Sequence, residues 1–227
     1  MAKWLPRTMK RDSMAKSENI PAPAVRRLSF YLRQLEAFSE DNRGTVSSRE
    51  LGEALGLSDA QVRKDLAYFG QFGHPGIGYR VPELIQRVRR ILGTDRISQV
   101  LLVGVGNLGR ALIAFRGFTK RGFELVAVFD KDVAKIGQMT DGPNAVRILP
   151  LSAMAATVKR HTIRVGILAV PASAAQQVAE EMVVAGIRGI LNFAPVALQV
   201  GPDVEVASVD LAIHLEQLSF HVTGSPV

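Results

Sequence analysis

Val100-Leu101-Leu102-Val103-Gly104-Val105-Gly106-Asn107-Leu108-Gly109 is the stretch on which the fold turns. Its first half is a continuous apolar run, the pattern of a strand buried on both faces. Its second half is a G-x-G-x-x-G that opens a helix expected over 107–115. In such a turn Gly104 allows the tight bend, Gly106 lets the backbone approach a pyrophosphate, and Gly109 lets helix and strand pack closely. Val105, Asn107 and Leu108 complete the loop and belong to the same candidate site. The next apolar run, Phe123 to Phe129, ends in Asp130, 21 residues beyond Gly109. A carboxylate at that strand end can accept hydrogen bonds from both ribose hydroxyls of an adenosine. It would repel a 2′-phosphate, which favours NAD(H) over NADP(H).

Further apolar runs at Val165 to Val170 and Gly189 to Phe193 alternate with helical patterns at Ser152–His161 and Ala172–Ala185. Val204–Val206 reads as one more short strand. Alternating strand and helix predicts an α/β, Rossmann-type parallel sheet with right-handed crossovers. Val170, Pro171, Asn192 and Phe193 fall at strand ends where the nicotinamide half of a dinucleotide is expected. Hydride transfer to a carbonyl needs a general acid there, usually His, Lys or Tyr. Neither Ala169-Val170-Pro171-Ala172-Ser173 nor Asn192-Phe193-Ala194-Pro195 supplies one. His74, His161, His214 and His221 all lie elsewhere, so the nucleotide reads as a signal and not a substrate.

Working back toward the N-terminus, the periodicity changes to helical. Residues 24–39 place Leu28, Leu32, Leu35 and Phe38 on one face. Ser47 with Glu50 and Ser58 with Gln61 are two capping boxes, separated by the turn Gly56-Leu57-Ser58. The first of these helices carries Leu51, Ala54 and Leu55. The second turns Val62, Leu66 and Phe69 inward. Two capped helices about a short glycine turn predict a helix-turn-helix. The second helix then presents Gln61, Arg63 and Lys64 outward. Arg63 can bond a guanine edge bidentately, Lys64 a phosphate or guanine, and Ser58 with its helix N-terminus a phosphate. Residues 71–81 read as two short strands about a Pro-Gly turn, a wing whose Tyr79 and Arg80 would reach the DNA backbone or minor groove. Pro82 opens a further basic helix carrying Arg87, Arg89 and Arg90.

The charge distribution agrees. Of a net +7, residues 1–98 hold 17 Lys and Arg against 11 Asp and Glu, and the remainder 11 against 10. A basic front half fits a polyanionic partner. The chain has no cysteine, which excludes disulfides and thiol chemistry. No apolar run reaches the roughly 18 residues of a membrane span, and no secretory h-region is present. The expectation is a cytoplasmic protein with neither membrane nor metal partner. Its expected divisions are a flexible tail at 1–20, a winged helix at 21–93, a nucleotide-binding domain at 94–208 and a terminal helix at 209–227.

Taken together the chain resembles Rex, the family of NADH-responsive bacterial repressors, from about Ala24 to Val222. The resemblance rests on Tyr31-Leu32-Arg33, Gln61 to Gly70, Gly76-Ile77-Gly78-Tyr79, Gly104 to Gly109, Gly189 to Pro195 and Val209-Asp210-Leu211. It implies a homodimer that binds operator DNA and releases it when NADH fills the Rossmann domain, with NAD⁺ competing. Leu211, Leu215, Leu218 and Val222 form one stripe on the last helix, which packs either on its own domain or on a partner. The resemblance implies a swap onto the partner. It also implies a switch pair, Arg33 with the partner's copy of Asp210, and places Leu211 near the nicotinamide. Some members carry a tyrosine that takes over the aspartate in the NADH state; the matching residue here is Phe115. The alternatives are an NAD-dependent enzyme with a regulatory DNA-binding appendage, or a DNA-binding protein with a vestigial Rossmann domain.

Overall fold

The structure, a computed structural model, describes residues 20–73, 76–141 and 145–224. The expected tail therefore lies almost wholly outside the described residues. The chain divides into two compact units, Met1–Asp95 and Arg96–Val227.

The first unit begins with α1 (Ala22–Glu40), whose Leu28, Leu32, Leu35 and Phe38 are buried together with Tyr31. Strand β1 (Thr45–Val46) leads into α2 (Ser48–Glu53) and α3 (Asp59–Ala67). The Ser47 hydroxyl accepts from the Glu50 amide at 3.1 Å while the Glu50 carboxylate accepts from the Ser47 amide at 2.8 Å, a complete capping box. The turn between α2 and α3 is tight. The Leu57 amide donates to the Gly52 carbonyl at 2.8 Å. A Cβ on Gly52 would sit 2.6 Å from the Leu57 oxygen, so this helix–turn–helix tolerates no side chain there. Ala54, expected on the buried face of α2, is the helix C-cap and is exposed; the residues of α2 that are buried are Leu51 and Gly52. Helix α4 (Val81–Ile91) closes the unit by burying Val81, Leu84, Ile85 and Val88.

The wing differs from its expectation. Strand β2 (Tyr79–Arg80) pairs antiparallel with β1, in the register Thr45↔Arg80 and Val46↔Tyr79, and residues 71–73 form no strand. His74 and Pro75, half of the expected turn, lie outside the described residues. The pairing is set by Gly78, which has φ +85° and lies so close to the Val46 carbonyl that a Cβ would approach it to 2.6 Å.

The second unit is a six-stranded parallel sheet of β3 (Ser98–Val103), β4 (Phe123–Asp130), β5 (Ile148–Pro150), β6 (Val165–Leu168), β7 (Gly189–Asn192) and β8 (Glu205–Ser208). The spatial order is β5-β4-β3-β6-β7-β8. The chain moves outward from β3 in one direction and then in the other, so the loops after β3 and β6 diverge and leave a crevice between them. Helices α5 (Asn107–Ala114), α6 (Gly117–Lys120), α7 (Met154–His161) and α8 (Ala172–Ala185) connect the strands. Leu101, Val103 and Phe129 join the core on one face of the sheet; Leu102 and Val128 join the core on the other. That alternation is why β3 and β4 read as unbroken apolar runs. Helix α9 (Leu211–Thr223) ends the unit and is exposed along its whole length, its apolar residues included.

Candidate functional site

On the first unit the outward face of α3 carries the candidate DNA contacts. Arg63, Lys64 and Ser58 are exposed, and Arg80 is exposed beside Glu83 at 3.4 Å. A cleft of about 670 Å³ runs between α3 and residues 70–73 and 76–79, with Ser48, Arg63, Ala67, Gly73 and Ile77 on its walls. Two expected contacts are placed differently. Tyr79 is only 8% exposed. Its ring packs beneath Gly73, where a Cβ would meet it at 3.0 Å, so it floors the cleft and does not project from a wing. Burial pushes its hydroxyl pKa up, and the nearby Arg63 charge opposes that shift. Gln61 is half-buried: Ser58 Oγ accepts from its amide at 3.1 Å, but its side-chain Nε2 donates to Asp65 at 2.7 Å and does not complete the second capping box.

Asp65 is the feature that reading the sequence missed. Its side chain is fully buried on α3 and accepts from Arg27 Nε at 2.5 Å, Arg27 Nη2 at 2.8 Å, Tyr31 Oη at 2.6 Å and Gln61 Nε2 at 2.7 Å. Burial alone would raise the Asp65 pKa, but the bonds from Arg27, Tyr31 and Gln61 outweigh it and hold the carboxyl below its ordinary value. Burial, then the adjacent carboxylate, pushes the Tyr31 phenol up. The hydrogen bond to Asp65 raises Arg27 despite its own partial desolvation. The signal was present: Asp65 stands beside Leu66 on the apolar face of its helix, and Arg27 and Tyr31 stand four apart on α1. A carboxylate on a buried face needs such a cation and donors. The arrangement bolts α3 to α1.

On the second unit a cavity of about 520 Å³ opens at the crevice between the β3 and β6 loops. It brings together Gly104, Val105, Gly106, Asp130, Val170 and Pro171, which the sequence placed in one site. The three glycines have three different reasons. Gly104 has φ +101°, and a Cβ on it would lie 2.4 Å from the Ala169 oxygen. A Cβ on Gly109 would lie 1.9 Å from the Gly104 oxygen. Gly106 has ordinary backbone angles and no atom within 4 Å of a Cβ position. What Gly106 leaves open is part of the cavity. Gly106 brings no capping side chain to α5, so the first N–H groups of Asn107, Leu108 and Gly109 keep their capacity for an anion.

Asp130 closes the far side. Its carboxylate accepts from the Val105 amide at 2.7 Å and the Asp132 amide at 2.9 Å, with Lys135 Nζ at 3.4 Å. Burial pushes its pKa up, but the two amides and the Lys135 charge pull it below its ordinary value. Lys135, Lys131 and Leu151 line the cavity too and formed no part of the expected site. Of the other expected residues, Asn107, Leu108, Gly109, Asn192, Phe193 and Leu211 do not line it. Asn192 is fully buried and spends its amide on the following turn, with Nδ2 to the Val196 oxygen at 2.9 Å and Oδ1 from the Ala194 amide at 2.9 Å. Phe193 packs against the core that contains Leu102 and Val105. Leu211 is 65% exposed on α9.

Of the remaining switch residues, Asp210 caps α9 by accepting from the Ala212 amide at 2.9 Å. Phe115 is exposed at the end of α5, edge-on to Phe118 with ring centroids 5.1 Å apart. Arg33 is exposed on α1, with no ion-pair partner among the described residues. Among the described residues no group of three or more His, Cys, Asp or Glu is arranged to hold a metal, and no helix is long and apolar enough to cross a membrane.

A helix-turn-helix with a basic outer face, followed by a Rossmann-type sheet with an open glycine cradle, defines a transcription regulator joined to a nucleotide-binding domain. Comparison with known proteins narrows the class. Residues 19–67 match the family described as "Putative DNA-binding protein N-terminus", and residues 95–196 match the "CoA binding domain". The redox-sensing transcriptional repressor Rex of Desulforamulus reducens is 46% identical over 207 residues, covering 91% of this chain and 97% of the relative. That of Carboxydothermus hydrogenoformans is also 46% identical, over 91% and 98%. Among solved structures, RSP in complex with β-NAD⁺ and operator DNA is 35% identical with a TM-score of 0.84, covering 90% of this chain and 93% of that one. RSP, a Rex-family repressor, has also been solved with β-NADH, at 34% identity and a TM-score of 0.79, over 90% and 95%. The chain belongs to the Rex family of redox-sensing transcriptional repressors.

Proposed function

We propose that the chain represses transcription as a homodimer on operator DNA and lets go when NADH fills the cavity beside Gly106, in response to a high NADH/NAD⁺ ratio. The observation that carries this reading is the pairing, in one chain, of an exposed Arg63-Lys64 recognition face with a glycine cradle that is open where a ligand needs it. In this reading Gly104, Val105 and Gly106 approach the pyrophosphate with the start of α5. Asp130 accepts the ribose hydroxyls, and Val170 and Pro171 border the nicotinamide half. The relatives' names and the nucleotide complexes of RSP support it.

The nucleotide acts as a signal, and the chain does no redox chemistry on a substrate. Val170 and Pro171, on the side read as the nicotinamide's, bring no general acid, and the two lysines that line the cavity, Lys131 and Lys135, stand on the Asp130 side, where Lys135 lies 3.4 Å from Asp130. His214 and His221 are exposed on α9, and His161 ends α7, just before the N-terminal end of β6. Helix α9 is the dimerisation element. An exposed stripe of Leu211, Leu215, Leu218 and Val222 on a terminal helix needs a cover, and a second copy supplies it by accepting the helix onto its own Rossmann domain. Arg33 and the partner's copy of Asp210 then couple the two units. The site of action is the cytoplasm, where the DNA is.

The test is fluorescence anisotropy of a labelled duplex from the gene's own upstream region, with NAD⁺, NADH and coenzyme A added separately. The reading expects binding without nucleotide and with NAD⁺, and loss of binding with NADH alone. Release by coenzyme A and not by NADH would overturn the ligand. Steady NADH consumption with carbonyl compounds would favour the enzyme alternative.

A further inference from the structure

Arg63 is not free in solution. Its Nη1 donates to Asp59 Oδ2 at 2.7 Å and to Ser48 Oγ at 3.1 Å, which uses both hydrogens of that nitrogen. Nε and Nη2 make no hydrogen bond among the described residues. They form one flat edge of the guanidinium, and such an edge matches the O6 and N7 acceptors of guanine. Asp59 is the first residue of α3, 44% exposed, and stands on the face that would approach DNA. Arg63, Arg49 and the Ala60 amide all act to lower its pKa, so it is ionised at neutral pH. A carboxylate in that place opposes phosphate, and by raw affinity alone it is a defect.

We propose that Asp59 is a specificity-determining residue, which holds Arg63 so that its Nε and Nη2 edge reads a base while the charge that would grip any phosphate is neutralised. The inference rests on the reading of α3 as the recognition helix. A free arginine at this position would gain nearly as much from the backbone of any duplex as from a guanine. Paired with Asp59 it loses most of that sequence-independent gain. It keeps the bidentate contact, because the neighbouring carboxylate and Ser48 fix the direction of the fork before DNA arrives. Sequence discrimination then rises at the expense of total affinity.

The experiment uses Asp59→Asn, which removes the charge and keeps the shape. The full-length dimer is titrated with two labelled duplexes, an operator selected from random DNA with this protein and a scrambled duplex of equal length. The expected result is tighter binding of the scrambled duplex, with a salt slope steeper by about one contact's worth, roughly 0.9. The ratio of operator to scrambled affinity should fall by roughly fivefold or more. Asp59→Glu should recover part of the ratio. In an Arg63→Ala background the Asp59→Asn effect on the ratio should vanish. An unchanged ratio, whether both affinities rise together or neither moves, would overturn the proposal, as would a full effect without Arg63. If Arg63→Ala itself leaves the ratio unaltered, the recognition-helix reading has failed, and that outcome is separate.

Discussion

The two functional faces of this molecule are held in opposite ways. The recognition helix α3 is held by side chains: a buried carboxylate, Asp65, gathers Arg27, Tyr31 and Gln61 around itself and ties the helix to α1. The nucleotide cradle is held by the lack of them. Gly104 and Gly109 let backbone meet backbone at distances no Cβ permits, and Gly106 leaves an open space. The first design makes a surface whose position depends on charge. The second makes a hollow whose shape depends on steric room. Each should therefore fail under a different kind of substitution, and the failures should not cross over.

The largest expected effect is on the charged side. Asp65→Ala removes the acceptor of four bonds and leaves Arg27 and Tyr31 without their buried partner, which should destabilise the first unit by about 2–3 kcal/mol. For a unit of this size that is a fall in its Tm of about 10 °C or more by calorimetry. The same carboxyl makes the unit acid-sensitive. Its folded pKa lies below its unfolded value, so its contribution is complete above the ordinary carboxylate range and is lost as pH falls through the folded value. Below about pH 4 the wild type should lose stability more steeply than Asp65→Asn. Parallel acid titration curves for the two would show that Asp65 is no such anchor.

Next comes the hollow. Gly106→Val should weaken NADH binding by roughly tenfold or more, because its side chain fills ligand space while its backbone angles are ordinary. The Tm and operator binding without nucleotide should stay as they were. Gly109→Ala should differ, lowering the Tm of the second unit, since its Cβ collides with the Gly104 carbonyl. If both variants lower stability alike, the distinction between open and packed glycines is wrong.

A smaller effect is expected at Asp130. Asp130→Ala should reduce the preference for NADH over NADPH, on the order of tenfold. It removes a ribose acceptor and leaves Lys131 and Lys135 lining the cavity to meet a 2′-phosphate. Calorimetric titration with both nucleotides measures it, and an unchanged ratio would assign the choice to another residue. The smallest is Arg33→Ala. If Arg33 pairs with the partner's copy of Asp210 only in the DNA-binding state, this variant should lower operator affinity and raise NADH affinity in DNA-free protein, each by a few-fold. No gain in NADH affinity would reduce Arg33 to a phosphate contact or a solvated charge.

The hollow was far more legible in the sequence than the bolt. Glycines at fixed offsets, an apolar run and an acid at a strand end are local signals, and all of them lie within about thirty residues of one another, as a βαβ unit requires. The helix-turn-helix was legible for the same reason, since caps and a glycine turn are written in adjacent residues. Asp65 was not, because its partners Arg27 and Tyr31 sit on another helix, more than thirty positions away. Strand β1 gives no signal because Thr45-Val46 is too short to show alternation, while Pro75 and Gly76 advertise a turn and so place the partner of β2 inside 71–81, where the structure has none. Strand β5 escaped notice as three residues ending in proline, which an edge strand tolerates. Asn192 was misread because position at a strand end says nothing of where an amide points.

The central claim is that nucleotide and DNA oppose one another through this protein, and linkage tests it most directly. NADH affinity should be measured by calorimetry with and without saturating operator duplex at one salt concentration. The account predicts that operator lowers NADH affinity by the same factor by which NADH lowers operator affinity. An NADH affinity unaffected by operator, in protein that binds both, would contradict it.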